Sequence, residues 1–302
     1  MKKSQRLKSA KSSIVVEPTA VAPEPVADGN AAADRYPQRI VCLTEEPTEV
    51  LYALGEERRI VGISGFTVRP PRARREKPRV SVFTSANTEE ILKLKPDLVI
   101  GFSDIQADIA RDLIKLGVEV WISNHRSVDG ILGYIRRLGA MVGAEDKADA
   151  YVQRAEQHIA GIRAAAAQLQ HRPKVYFEVW DEPIIVGTQW VSEIIEIAGG
   201  DDCFAEVSHE SLAKQRILPN GDEVIRRAPD IIMGSWCGKR FRPEKVIARP
   251  GWASIPAIRT GQLYEIKSPI ILQPGPASLF DGLARIYDII AGWRPTDSAV
   301  TG

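Results

Sequence analysis

The sequence predicts an α/β protein of two related lobes, each built on a mostly parallel sheet, joined by one long helix. Three observations predict it. The stretch Asn87-Thr-Glu-Glu-Ile-Leu-Lys-Leu-Lys-Pro-Asp-Leu-Val-Ile-Gly101 aligns without a gap on Asn220-Gly-Asp-Glu-Val-Ile-Arg-Arg-Ala-Pro-Asp-Ile-Ile-Met-Gly234. The segments flanking each copy recur in the same order, and residues 128–169 between the lobes carry helical patterns with no strand signal.

Residues 1–36 hold Lys and Ser, then Pro, Ala and Glu, a composition with too little apolar surface to order itself, and are expected to be a disordered tail. The first lobe spans 37–127. It opens on the apolar strand Arg39-Ile-Val-Cys-Leu-Thr44, passes Glu45-Glu46-Pro47 and enters a helix over 48–55 closed by Gly55. A second strand covers Arg59 to Ser64, and a loop rich in Pro and Arg runs from Phe66 to Pro78. Each copy of the repeat then reads as a helix capped by Asn, acidic in its first turn, stopped by Pro and followed by an apolar strand ending on Gly. A helix near 106–116, a stop at Gly117 and the strand Val118-Glu-Val-Trp-Ile122 complete the lobe.

The linker, 128–170, contains two helical patterns divided near Val142-Gly143-Ala144-Glu145. The second, over 146–169, is about 36 Å long at 1.5 Å per residue and could act as a strut. In the second lobe, 171–295, Pro173-Lys-Val-Tyr-Phe-Glu-Val179 reads as a strand and Asp181-Glu182-Pro183 mirrors Glu45-Glu46-Pro47. Ser192 to Gly199 mirrors the first helix, and Arg259 to Ile266 answers Lys115 to Ile122. Residues 296–302 form a short tail.

Composition excludes several classes. With 40 basic against 39 acidic side chains there is no field to favour nucleic acid or an anionic membrane surface. No apolar run approaches the roughly 18 residues that span a bilayer, so membrane insertion is not expected. Cys42, Cys203 and Cys237 are widely spaced and indicate neither a disulfide framework nor a zinc cage. The sequence as it stands shows no apolar core of about 7 to 15 residues after its basic start, which predicts a cytoplasmic protein.

Ligands of open parallel sheets bind beyond the carboxyl ends of the strands. Aromatic residues gather at those positions: Phe66, Phe83 and Phe102 in the first lobe, Trp180, Trp190 and Trp236 in the second. Facing lobes would make them an apolar cleft for a large, flat ligand. His125 and Cys237, each just past a strand, are the weak candidates for contact with a metal centre, and no metal site is expected otherwise. With no phosphate loop, nucleophile elbow or His-Glu-x-x-His motif, the protein is expected not to be an enzyme. An enzyme acting on a tetrapyrrole or metal through His125, Cys237 and Glu45 is the alternative of another class.

The order and spacing of these segments resemble the periplasmic binding proteins of cobalamin and iron-siderophore ABC transporters, most of all the vitamin B12-binding branch. The resemblance rests on Arg39-Ile-Val to Gly55, Ile60-Val-Gly-Ile-Ser64 with Pro70-Pro71, and Val80-Ser81 through Asn87-Thr-Glu89 to Lys95-Pro-Asp-Leu-Val-Ile100. Leu116-Gly117 and Glu196-Ile-Ala-Gly-Gly200 extend it, so that it covers about 37–295. It implies two Rossmann-like lobes on a helical backbone, and a corrinoid such as cobalamin held as ligand rather than as catalytic cofactor, with haem or an iron-siderophore as the other cargo. It also implies an ABC permease as partner, docked through Glu89 and Asp222, with Glu90 and Glu223 as neighbouring candidates. Phe66, Phe83 and Phe102 match the family's pocket aromatics by position, whereas the second lobe departs more. A periplasmic location, usual for the family, is the alternative to the cytoplasmic one.

Overall fold

The protein is described by a computed structural model covering residues 35–295. The expected tails, 1–36 apart from its last two residues and 296–302, lie outside the described residues.

The first lobe runs β1 (Ile40–Cys42), α1 (Glu45–Ala53), β2 (Ile60–Ser64), α2 (Ala73–Glu76), β3 (Arg79–Val82), β4 (Ser85–Ala86), α3 (Thr88–Lys93), β5 (Leu98–Phe102), α4 (Ala107–Lys115) and β6 (Val120–Ser123). Its sheet has the order β4-β3-β2-β1-β5-β6, parallel throughout except where β4 turns back on β3. The central strands β1 and β5 are buried along their whole length. They read as unbroken apolar runs because helices cover both faces of a parallel sheet.

Two linking helices follow, α5 (Val128–Met141) and α6 (Glu145–Ala166). Ile131, Tyr134, Ile135 and Leu138 place one stripe of α5 in the core, each fully buried. Burying a side chain of this size stabilises the fold by about 1.5–3 kcal/mol. Ala148, Val152, Ala155 and Ile159 do the same for α6. Its 22 residues span about 33 Å, close to the strut expected over 146–169. The two helices approach closely because Gly139 has no side chain: a Cβ there would lie 2.3 Å from that of Ala148.

The second lobe comprises β7 (Lys174–Asp181), β8 (Ile184–Val186), α7 (Gln189–Ile197), β9 (Asp201–Asp202), α8 (Ala205–Ser208), α9 (Asp222–Arg227), β10 (Ile231–Gly234), α10 (Pro243–Ile247), α11 (Pro256–Arg259), β11 (Leu263–Glu265), α12 (Ser268–Ile271) and α13 (Leu283–Gly292). Its sheet runs β11-β10-β7-β8, with β9 pairing the start of β7. One buried apolar cluster joins the lobes, reaching from Ile40 and Leu51 through Tyr134 and Val152 to Phe177, Ile194 and Ile286.

The repeat is structural in both copies. Asn87 caps α3, its Oδ1 accepting from the Glu90 N–H at 3.1 Å. In the second copy Gly221 takes the cap position, and Asn220 Oδ1 accepts from the Asp222 N–H at 3.0 Å instead. The closing glycines are required by their neighbours. A Cβ on Gly101 would lie 2.4 Å from Gln106 Oε1, and one on Gly234 would lie 1.9 Å from the Phe241 ring.

Two readings of the second lobe are corrected. Asp181-Glu182-Pro183 does not mirror the start of α1 but forms the turn between β7 and the antiparallel β8, because Ile184-Ile-Val186 is a β-branched run that pairs rather than coils. The first helix of this lobe starts at Gln189, not near Ser192, so that Trp190 lies inside it.

Candidate ligand cleft

The carboxyl ends of β2, β3 and β5 carry a rim of exposed apolar side chains. Phe66 is 48% exposed, Val82 42% and Ile105 47%, with Phe83 half-buried among these loops. A folded protein normally hides such groups, and the carboxyl ends of parallel strands are where sheets of this kind receive ligands.

An aromatic column runs from the end of β5 onto α5. Phe102 meets His125 edge-on at 5.2 Å, His125 stacks on Tyr134 at 4.4 Å, and Tyr134 stacks on Trp121 at 5.4 Å. Both His125 nitrogens are engaged. Nε2 lies 2.7 Å from the Pro274 carbonyl, which can only accept, so Nε2 carries the proton and Nδ1 accepts from the Ser123 hydroxyl at 2.7 Å. Burial pushes the imidazole down to about 4. With no lone pair left over, His125 is withdrawn as a metal contact.

The six aromatics expected at the cleft divide. Phe66 and Phe83 reach the rim. Trp180 is half-buried near the end of β7, its Nε1–H donating to the Glu182 carbonyl at 2.8 Å, with Lys239 Nζ 3.9 Å from its ring. Phe102, the last residue of β5, is 5% exposed. Trp236 is 2% exposed because its indole N–H is held by Glu178 Oε1 at 3.0 Å. Glu178, itself fully buried, is clamped by Arg249 at 2.6 and 2.9 Å. Trp190 is a core residue of α7, donating to the Ile271 carbonyl at 2.8 Å, which corrects its expected place at the cleft.

A further segment, Leu272 to Ser278, is laid by the second lobe against the start of α1. Gln273 Nε2 donates to Glu45 Oε1 at 3.2 Å and the Ala277 N–H donates to Glu49 Oε2 at 3.1 Å. Arg69 of the first lobe pairs with both Glu49 and Asp281. Burial raises all three carboxyls at this helix end: Glu45 to about 7, Glu46 to about 8, and Glu49 in the same direction. Glu45 Oε2 and Glu46 Oε2 are buried with no hydrogen-bond partner. Cys237 sits on an exposed loop, its thiol raised by partial desolvation and then by the Glu45 charge. Among the described residues no three His, Cys, Asp or Glu side chains converge as a metal site.

The periplasmic binding protein family profile matches residues 40–270. The chain belongs to that family.

Three similarities set this binding protein among its relatives. It is 24% identical over 265 residues to an uncharacterized ABC transporter substrate-binding lipoprotein, YvrC, of Bacillus subtilis, covering 85% of this chain and 81% of that one. A vitamin B12-binding protein of Vibrio vulnificus is 24% identical over 253 residues, covering 80% and 86%. The periplasmic heme-binding protein RhuT of Roseiflexus sp. RS-1 superposes with a TM-score of 0.72 at 25% identity, covering 84% of this chain and 99% of that one. The family consists of periplasmic or lipoprotein substrate-binding proteins of ABC transporters. No helix among the described residues is long and apolar enough to cross a membrane.

The acids in the two repeats of this binding protein are not equivalent to their neighbours. Glu90 is held by Lys93 at 2.6 Å, and Glu223 by Arg226 and Arg227. Glu89 and Asp222 are exposed, and neither carboxylate makes an ion pair among the described residues. Asp222 also borders a hollow of about 690 Å³ lined by Asp181, Asn220, Lys245, Arg249 and Trp252. The interlobe segment 272–278 carried no sequence signal. Glu45 and Glu46 did, as paired acids before a proline, but that signal also fits simple helix-end carboxylates.

Proposed function

We propose that this binding protein carries a corrinoid, with cobalamin as the cargo, between its lobes for an ABC permease. The observation that carries the reading is the set of exposed or half-buried apolar side chains Phe66, Val82, Phe83 and Ile105 at the carboxyl ends of β2, β3 and β5. A broad apolar face suits a flat macrocycle, which is bound mostly by area with few polar anchors.

Two candidate donors at the cleft, His125 and Cys237, speak for a corrinoid over haem. Cobalamin brings its own lower axial ligand, whereas protein-bound haem takes His, Cys, Met or Tyr from the chain. His125 has no free nitrogen, and the raised thiol of Cys237 is a poor thiolate donor. Relatives named for both cargoes keep haem or an iron-siderophore as the second reading.

Titration with cyanocobalamin, followed by its visible absorbance, tests the first reading. Saturable binding with Kd below 100 μM, about 5.5 kcal/mol, is expected. Binding of haemin alone would replace it with the second. Catalysis has no place in the proposal, and turnover of either pigment would overturn that part. We place the protein on the export side of the membrane with its relatives rather than in the cytoplasm, and recovery solely in the cytosolic fraction of its source cells would reverse this.

A further inference from the structure

Two arginines from different lobes meet at the edge of the cleft. Arg126 follows β6 in the first lobe, and its Nη1–H donates to the Ser211 carbonyl of the second lobe at 2.9 Å. Arg216, in a short turn before α9, donates through Nε to the Glu210 carbonyl at 3.1 Å and through Nη1 to the Val186 carbonyl at 2.8 Å. Consecutive carbonyls of one loop therefore hold the two guanidinium groups beside each other.

The pair is under-neutralised. Arg126 has one carboxylate, Asp104, at 3.2 Å, and its buried Nε–H has no acceptor. Arg216 is 6% exposed and has no carboxylate partner among the described residues. Its guanidinium is held down to about 10, first by burial and then by the charge of Arg126. Removing a cation from water without a counter-ion is costly, and like charges side by side add to that cost. An anion placed between them relieves both, and the planar fork of arginine matches the oxygens of a phosphate or carboxylate.

We propose that Arg126 and Arg216 form an anion seat at the cleft edge that takes a negatively charged group of the cargo, a phosphodiester or a carboxylate. The seat deepens the reading given under Proposed function: the rim supplies area to the macrocycle, and the arginines fix its orientation through a charged appendage. In a cobalamin that appendage is the nucleotide phosphodiester; in haem it is a propionate.

The test compares pigments that carry the anion with counterparts that lack it. Arg126→Gln, a loop substitution, is paired with Arg216→Lys as a second variant that keeps the buried charge but not the fork, and circular dichroism verifies that both are folded. Cyanocobalamin affinity should fall about tenfold in Arg126→Gln, while dicyanocobinamide, a corrinoid without the nucleotide phosphodiester, should bind the variant and the wild type equally. An equal loss for both corrinoids, or no loss for cyanocobalamin, overturns the seat. If haemin is the pigment that binds, the same contrast applies between haemin and its dimethyl ester. If the wild type binds none of these pigments, the proposed function fails but the seat is still judged. Inorganic phosphate at constant ionic strength should then raise the Tm of the wild type and not that of Arg126→Gln, and the absence of such a rise overturns it.

Discussion

At the scale of single residues, exposure separates binding from packing among side chains that look alike in the sequence. Phe66, 48% exposed on its loop, should lose ligand contact when cut to Ala and little else. Fluorescence titration should show a several-fold weaker Kd, with stability within about 0.5 kcal/mol of wild type. Trp236→Ala should instead lose about 3–5 kcal/mol in urea unfolding, because the indole is buried and bonded to Glu178. The sequence placed both residues after strands and could not tell them apart, since the partner that buries Trp236 lies 58 positions away. Glu46 gives a pH signature. Its carboxyl is 1% exposed and raised to about 8, so the folded form keeps a proton that the unfolded chain releases near 4.5. Stability should accordingly decline as pH climbs from 5 to 8. Glu46→Gln keeps an acceptor for the Thr44 hydroxyl and should flatten that decline. The difference should be a few kcal/mol at most, since a tenfold change in proton affinity is worth about 1.4 kcal/mol. Parallel pH slopes for the two proteins would contradict this.

At the scale of elements, most of the architecture was legible because its causes are local. Apolar runs bounded by Gly and Pro marked β1, β2, β5 and β10, and the long helical pattern located α6 within three residues at its end. What was not legible is pairing. The short strands β4, β8 and β9 exist because a neighbouring strand offers free backbone groups, which no local pattern announces. The α5–α6 hairpin provides the test at this scale. Gly139→Ala would press a methyl into the Cβ of Ala148, which no side-chain rotation can relieve. A loss of about 1–3 kcal/mol is expected in denaturant unfolding, whereas Gly161→Ala, where nothing lies within 4 Å, should be neutral or slightly stabilising.

At the scale of the whole molecule, the duplicated unit gives each lobe an exposed acid with no ion-pair partner among the described residues, Glu89 and Asp222. If these dock the permease, replacing both with Arg should leave the cyanocobalamin Kd unchanged and reduce uptake in transport assays by tenfold or more. Equal uptake would remove them from docking. The candidate site was far less legible than the fold, because its distinctive contacts join opposite ends of the chain: Gln273 reaches Glu45 across 228 residues.

That contact also ties the protonation of the cleft to the approach of the two lobes. Burial raises Glu45 to about 7, and its Oε1 accepts from Gln273 Nε2 at 3.2 Å. If the lobes part, water would reach the carboxyl, its affinity for the proton would fall toward that of an ordinary glutamate, and near pH 6 the proton would leave. Cargo capture that closes the lobes would then take a proton up from the buffer. Calorimetric heats of binding at pH 6 should vary with the ionisation enthalpy of the buffer, and acid should favour the closed, loaded form.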